Sequence, residues 1–231
     1  MAIEWIMEKD MQETLVQLAP CLTDEDALRI LAEKYGLCGE VELLPSERDQ
    51  NFRISTDDAE YVLKIANAGE ERAALDLQNR AMHHIVGKAA AYRLPVLCPH
   101  LIWSADGQEI TTTVVDENEH FVRLLTYLPG KPLALARPQG PHLYASLGAL
   151  LGRIDRFLAD FAHPHAERDF HWDLQNAEPV VDAYKGLLDP AQQRLIDHFL
   201  QQFRNRVKPH LANLPKSIIH SDGNDYNVLA S

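Results

Sequence analysis

Cysteine is scarce in this sequence, and no long apolar run occurs. The 231 residues include three cysteines, Cys21, Cys38 and Cys98, and none of them forms a C-x-x-C pair. An odd number of widely spaced thiols argues against a disulfide framework and predicts reduced cysteines. No stretch approaches the length of a membrane helix, and the N-terminus carries acids where a signal peptide is basic. The sequence therefore predicts a soluble, cytoplasmic protein with no membrane partner.

Basic residues are also few compared with acidic ones. Lysine and arginine number 22 against 34 acids, which gives a formal net charge of -12. This balance argues against nucleic acid as a partner and suits a cationic ligand or a metal-bound nucleotide. The G-x-S-x-G elbow of many hydrolases is missing. Neither His83-His84 nor His163-x-His165 has the spacing of a zinc site.

One polar motif near the end of the chain is present in full. His220, Asp222 and Asn227 follow the pattern H-x-D-x-x-x-x-N between two apolar pairs. In kinases the Asp of this motif accepts the proton of the attacking hydroxyl, and the Asn holds a magnesium ion. We expect a tight loop with a strand at each end. The alternative is a polar surface turn between two short strands.

Hydrophobic periodicity divides the chain into a sheet-rich first half and a helical second half. Thr23 followed by three acids predicts a helix start, and Gly36 predicts its end. A second helix is predicted from about Glu70 to Gly87, and Leu128 to Pro141 reads as a linker. The remaining predicted elements are strands at Val41–Leu44, Asn51–Ser55, Glu60–Ala66, His100–Ser104, Glu109–Val115 and His120–Tyr127, and helices from His142 to Phe161 and from Pro190.

Two polar residues lie on apolar faces of these predicted elements. Lys64 shares a strand face with Val62 and Ala66, where a kinase lysine would meet the nucleotide phosphates. The alternative is an exposed lysine on an edge strand. Gln78 lies on the apolar face of the second helix, and a buried amide needs a polar partner, for which Lys64 is the candidate. Alternatively, Gln78 lies at the edge of that face and reaches water.

The motifs together resemble those of a known superfamily. They are L-P-S-E-R-D-Q-N-F (Leu44–Phe52), Y-V-L-K-I (Tyr61–Ile65), L-D-L-Q-N (Leu75–Asn79), Y-L-P-G (Tyr127–Gly130) and H-S-D-G-N-D-Y-N-V-L (His220–Leu229). In this order they resemble the aminoglycoside phosphotransferase and choline kinase superfamily. Within it the likeness is greatest to hydroxylysine-kinase-like proteins, including the domain at the N-terminus of fusions with a class III aminotransferase.

The resemblance implies an α+β, protein-kinase-like fold with two lobes. The sheet-rich N-terminal lobe would span residues 1–128, a linker 129–141 and a helical C-terminal lobe 142–231. It also implies ATP and Mg²⁺ as cofactors. Asp222 would be the catalytic base and Asn227 a metal ligand.

The resemblance assigns the nucleotide site as well. Lys64 would bind the α- and β-phosphates, and Gln78 stands where many relatives have the glutamate that positions that lysine. Ser46 to Phe52, including Asn51, would form the loop over the nucleotide, although it is not glycine-rich. The backbone around Thr126 to Leu128 would face the adenine.

The sequence departs from the family pattern after Asn227. The family has an Asp-containing strand there that holds the metal ions, whereas this chain ends at Ser231. We therefore expect a fragment, either a shortened chain or the N-terminal piece of a longer, fused polypeptide, with an incomplete C-terminal lobe and little activity of its own. The rival function is a binding module that keeps the kinase fold and transfers nothing.

The substrate is expected to be a small, cationic, hydroxylated molecule. Asp169, Trp172 and Asp173, beside Arg168, offer carboxylates and an aromatic face that suit an ammonium group. The alternative for these residues is a solvated loop. Hydroxylysine or a similar amino alcohol ranks first as the substrate, aminoglycosides second and choline third.

Overall fold

The computed structural model describes residues 18–46, 48–95, 98–167 and 173–230. They belong to two compact units. One unit contains residues up to 163 together with 217–230, and the other contains 164–216. The division into lobes at a linker over 129–141 stays a prediction.

The first helix, α1, spans Asp24–Tyr35 and has the predicted ends. The Thr23 hydroxyl accepts a hydrogen bond from the Asp26 amide, and the Asp26 carboxylate accepts one from the Thr23 amide. These bonds satisfy two amide groups that a helix start leaves unpaired. At the other end Gly36 adopts a left-handed φ of 64°, which ends the helix.

The larger unit is built on an antiparallel sheet. Its six strands are β1 (Glu40–Leu44), β2 (Gln50–Ser55), β3 (Glu60–Ile65), β4 (Leu101–Ile102), β5 (Thr111–Val115) and β6 (Asn118–Thr126). The strand order is β1-β2-β3-β6-β4, and β5 pairs with the first half of β6. Every predicted strand exists, although β4 is only two residues long.

One face of this sheet forms the core with α1. Phe52, Leu63 and Leu124 lie directly opposite one another on β2, β3 and β6, and all three are fully buried. Ile30 and Leu31 of α1 pack against them. Burying each such side chain contributes about 1.5–3 kcal/mol. Because side chains alternate along a strand, the next residue of each strand points to the opposite face.

Two long helices complete the larger unit. They are α2 (Arg72–Ala91) and α3 (Pro141–Leu158). Ile85 and Ala89 of α2 pack against Ile154, Phe157 and Leu158 of α3. The predicted helices were therefore correct to within a few residues.

The smaller unit, 164–216, is helical where it is described. It contains α4 (Ala177–Tyr184), α5 (Pro190–Gln202) and α6 (Lys208–Leu211). The predicted start at Pro190 is confirmed, and Asp189 and Gln192 form a capping box there. Throughout the residues that the structure describes, no helix is long and apolar enough to cross a membrane.

Candidate active site

The segment predicted as a plain linker holds the H-x-D-x-x-x-x-N motif in place. Strand β7 (Lys131–Pro132) pairs with β8 (Leu229–Ala230), which directly follows the motif. The Leu133 amide donates to the Val228 carbonyl at 2.9 Å, and the Ala134 amide donates to the Asp225 carbonyl at 2.8 Å. The C-terminal half of the motif is therefore fixed to the backbone of residues 131–134.

Gly130 permits this close approach. A Cβ atom at residue 130 would lie 3.0 Å from the Ala230 carbonyl oxygen and 3.1 Å from the Leu229 Cβ. Its φ of +134° is also one that L side chains rarely adopt. Glycine is therefore needed here for both space and backbone conformation.

We expect Gly130→Ala to destabilise the protein by roughly 1–3 kcal/mol, because the new methyl group meets backbone and the φ is unfavourable. Urea unfolding measures the change. The matched control is Gly148→Ala in the interior of α3, where an added Cβ meets no described atom within 4 Å. That control should stabilise by about 0.5–1 kcal/mol. Equal effects of the two substitutions would contradict this account of Gly130.

Asp222 and Asn227, the predicted base and metal ligand, lie in direct contact. The Asn227 Nδ2 donates to Asp222 Oδ2 at 2.6 Å and to the Asp222 carbonyl at 3.1 Å. The Asn224 Nδ2 donates to Asp222 Oδ1 at 2.8 Å. The two amide side chains therefore orient both oxygens of the exposed carboxylate.

Asn224 is a loop residue to which the sequence assigned no role. Its Oδ1 accepts hydrogen bonds from the Tyr226 amide at 2.9 Å and the Asn227 amide at 3.0 Å. An asparagine that accepts from an amide two residues later forms an Asx turn. The sequence N-D-Y-N (Asn224–Asn227) is the feature from which this turn could have been predicted.

The approach to Asp222 differs from the expected strand. Residues 217–224 have no regular secondary structure, so only β8 flanks the motif. The Asp222 amide donates to the His220 carbonyl at 2.8 Å, which closes a three-residue turn over Ser221. Ser221 has a φ of +65°, an uncommon value for a residue with a Cβ. This strained turn sets the direction from which Asp222 enters the loop.

The loop offers part of a magnesium site. Asp222 and Asn227 supply carboxylate and amide oxygens, which Mg²⁺ prefers, and the bonds made by Nδ2 leave Asn227 Oδ1 for a metal ion. The described residues contain no cluster of three or more His, Cys, Asp or Glu that could hold a metal by itself. Mg²⁺ bound through one or two side chains together with substrate phosphates fits this donor set.

Lys64 lies in a row of polar side chains across the opposite face of the sheet. Asn51 of β2 and Arg123 of β6 are its direct neighbours on either side. Because β3 is an interior strand, the alternative of an exposed edge-strand lysine is wrong. The Lys64 Nζ donates to Asn51 Oδ1 at 2.9 Å. Burial lowers the pKa of Lys64, and the charge of Arg123 lowers it further, while Asp49 opposes both effects.

The expected bond between Gln78 and Lys64 is not formed, because Arg123 takes the amide. Arg123 donates to Gln78 Oε1 and to Asn79 Oδ1, each at 2.9 Å. Gln78 itself is exposed, whereas Asn79 is fully buried, so Asn79 is the buried amide of α2. Neither Arg123 nor Asn79 was predicted from the sequence, because the pairing of β3 with β6 that places Arg123 beside Lys64 has no local sequence signal.

The predicted nucleotide loop is shorter than Ser46 to Phe52. Asn51 and Phe52 belong to β2, so the connection runs over 45–49, in which residue 47 is outside the described part. Asp49 Oδ1 accepts from the Asn67 amide at 3.1 Å, and the Asn67 Nδ2 donates to the Arg48 carbonyl at 3.4 Å. Side-chain bonds to buried Asn67 therefore hold the loop where kinases often use glycines.

The predicted adenine-facing backbone begins at the last residue of β6. The Thr126 amide donates to the His100 carbonyl and the Tyr127 amide to the Glu60 carbonyl, each at 2.9 Å. These amides are therefore engaged within the sheet. The Leu128 amide is the candidate donor for a base.

Of the predicted substrate residues, only Asp173 is described. Arg168, Asp169 and Trp172 lie outside the described residues. The Asp173 carboxylate accepts from the Gln175 amide at 2.9 Å and from Gln175 Nε2 at 3.2 Å. It caps a short 3₁₀ turn over Leu174–Asn176. Its role in substrate binding stays a prediction.

Solved structures show which fold class this arrangement defines. An aminopropanol kinase associated with a microcompartment matches with a TM-score of 0.61 and 14% identity, over 89% of this chain and 64% of that one. An amicoumacin kinase in complex with AMP-PNP, Ca²⁺ and Ami matches with a TM-score of 0.59 and 15% identity, over 80% and 54%. The predicted α+β, kinase-like fold is confirmed.

Sequence comparison identifies the family. The model described as "Phosphotransferase enzyme family" matches residues 40–231, and the chain belongs to that family. Hydroxylysine kinase of Mus musculus is 30% identical over 231 residues, covering 91% of this chain and 59% of that protein. Hydroxylysine kinase of Bos taurus is 31% identical over 241 residues, covering 95% and 62%. The predicted resemblance is confirmed, and the chain spans about three fifths of the length of these relatives.

Proposed function

We propose that this chain carries the phosphotransferase site of an ATP-dependent small-molecule kinase that acts on a hydroxyl group of a small amine or amino acid. The observation that carries the proposal is the loop around Asp222, whose two oxygens are oriented by Asn224 and Asn227. A fixed carboxylate beside an amide oxygen is the arrangement that phosphoryl transfer to an alcohol requires. The hydroxylysine kinase relatives support a hydroxylated amino acid as the acceptor.

Asp222 acts on the acceptor. Its carboxylate accepts the proton of the substrate hydroxyl while that oxygen bonds to the γ-phosphorus and the bond to ADP breaks. Because Asn224 and Asn227 fix the carboxylate, the reacting oxygen can be held in line without reorganisation of the loop. Mg²⁺ held by Asn227 and the phosphates would neutralise charge on the transferring group.

Lys64 acts on the donor. Its ammonium binds the α- and β-phosphates. The neutral amide oxygen of Asn51 accepts a hydrogen bond from this ammonium and orients it on this face of the sheet. The backbone at Leu128 receives the adenine, and residues 45–49 cover the phosphates. Most of the rate enhancement comes from positioning and charge stabilisation, with no covalent enzyme intermediate.

The rival function is a kinase-fold module that binds nucleotide without transferring phosphate. Gln78 stands in place of the usual glutamate, and no acid cluster accompanies Asn227 in the ranges that the structure describes. Nucleotide binding without turnover, in the polypeptide as its gene encodes it, would favour this rival. That the 231 residues alone are poorly active and that the protein is cytoplasmic also stay predictions.

A substrate panel tests the proposed acceptor. We expect 5-hydroxylysine and related amino alcohols to be phosphorylated in preference to aminoglycosides, choline and a neutral sugar of similar size. ADP release and ³¹P NMR of the product measure the transfer. Asp173→Asn should raise KM for the amines about threefold to tenfold through loss of a charged contact, and Asp182→Asn on α4 is the control. Preference for the neutral sugar, unchanged by Asp173→Asn, would contradict a cation pocket.

A further inference from the structure

We propose that Arg123 supplies a second positive charge to the phosphate end of the nucleotide site, and that neutral partners on α2 keep this charge from being cancelled. The proposal rests on the proposed nucleotide site at Lys64 and adds a residue that no motif contains. Arg123 acts through the electric field and through Lys64, without contact to the substrate, so it is a positioning residue.

The first observation is the juxtaposition of two cations. Lys64 and Arg123 are directly opposed on adjacent antiparallel strands and point to the same face. Arg123 is only 4% exposed. Like charges at directly opposed positions destabilise a sheet, and burial strengthens their repulsion. The charge of Asp49 acts on both cations and offsets part of this repulsion, and the phosphates of a nucleotide would offset more of it.

The second observation is the choice of partners. Both groups that receive the Arg123 guanidinium, Gln78 Oε1 and Asn79 Oδ1, are neutral amide oxygens. Among the described residues, Lys64 donates to a third neutral amide, that of Asn51. Burial lowers the pKa of Arg123, and the charges of Asp49 and Glu70 oppose this effect through space. Asp49 is also engaged by the Asn67 amide.

The third observation is an unpaired amide donor at position 79, which a carboxylate at that position would not have. The Nδ2 of fully buried Asn79 has no hydrogen-bond partner among the described residues. An aspartate at position 79 would accept from Arg123 more strongly and would leave no amide donor unpaired. Asparagine at position 79 therefore docks α2 less well than aspartate would. It is the better residue for leaving the charge of Arg123 available to phosphates.

Asn79→Asp tests the proposal, because it keeps the shape of the side chain and adds one negative charge beside Arg123. We expect the Kd for ATP, measured by calorimetry at low salt, to rise about tenfold. Gln78→Glu should act in the same direction but less, since Gln78 is exposed. The matched control is Gln108→Glu, the same change at an exposed residue between β4 and β5. A thermal melt checks that each variant folds.

A purely structural role for Arg123 predicts a different outcome. If Arg123 only docks α2 on the sheet, stronger acceptors at positions 78 and 79 would leave the Kd for ATP unchanged. Unchanged affinity in folded Asn79→Asp would overturn the proposal. If Asn79→Asp did not fold, an unchanged Kd for ATP in Gln78→Glu would overturn the proposal instead.

A second measurement needs no nucleotide and separates this inference from the proposed function. NMR titration of the Lys64 amine reports the local potential to which burial, Asp49 and Arg123 contribute. A carboxylate that offsets the charge of Arg123 in Asn79→Asp should raise the pKa of Lys64. If the unmodified protein bound no ATP, the proposed function would fail, while a raised Lys64 pKa would still support the charge coupling. No change in the Lys64 pKa would contradict the coupling, whether or not ATP binds.

Discussion

Asp222→Asn should reduce phosphoryl transfer about a hundredfold to ten-thousandfold, which is the usual contribution of a positioned general base. The amide cannot accept the hydroxyl proton, and it presents one donor where Asn224 or Asn227 now donates. Turnover is measured in the polypeptide as its gene encodes it, with saturating ATP and the best acceptor of the panel. ATP affinity should change much less than turnover.

Asp225→Asn is the matched control for Asp222→Asn. Asp225 lies in the same exposed loop, and its contribution to the loop is a backbone carbonyl that receives the Ala134 amide. This bond survives a change of the side chain, so activity should be kept. Equal losses in the two variants would show that any charge in the loop matters, and Asp222 would lose its assignment as the base.

The six strands of the large sheet and most of the longer helices were predictable because each follows from local physics, whereas α4 and α6 were not predicted. Alternation located the strands, and helical spacing with caps located α1, α2, α3 and α5. The short strand β7 was not predicted, since two residues with Pro and Gly nearby carry no periodic signal. It exists because β8, far along the sequence, pairs with it.

The candidate site was predictable where one short motif contains it. Spacing alone was enough to find His220, Asp222 and Asn227. The side chains of Asp222 and Asn227 are in contact, as expected for two groups of one motif that must act at the same place. The Lys64 environment was only half predictable. Alternation identified its face, but the identity of its neighbour Arg123 depends on the pairing of β3 with β6.

The position of Gln78 also depended on tertiary packing: of the two alternatives, the exposed position at the edge of the apolar face is the observed one. A helical stripe defines a face only to within about one residue, so the periodicity that identified Gln78 does not distinguish it from its neighbour Asn79. Packing decided between them: Asn79 is buried beside Arg123, and Gln78 reaches the same guanidinium from an exposed position. The guanidinium of Arg123 is therefore held by two neighbouring amides of α2.

Lys64→Met should lower kcat/KM for ATP about a hundredfold to a thousandfold, because it removes a preorganised charge aimed at the phosphates. Methionine keeps much of the aliphatic stem of the lysine and loses the ammonium. Stability should change by less than about 1 kcal/mol. The lost bond to Asn51 and the lost attraction of Asp49 are offset because the buried charge and its repulsion from Arg123 are removed as well.

Lys34→Met is the control for Lys64→Met. Lys34 lies in the last turn of α1, the helix that packs on the other face of the sheet. The same chemical change there should leave ATP kinetics unaltered. Urea unfolding of both variants separates a kinetic effect from a loss of fold. If Lys64→Met transferred phosphate as well as Lys34→Met, the phosphates would have to bind elsewhere than at the row formed by Asn51, Lys64 and Arg123.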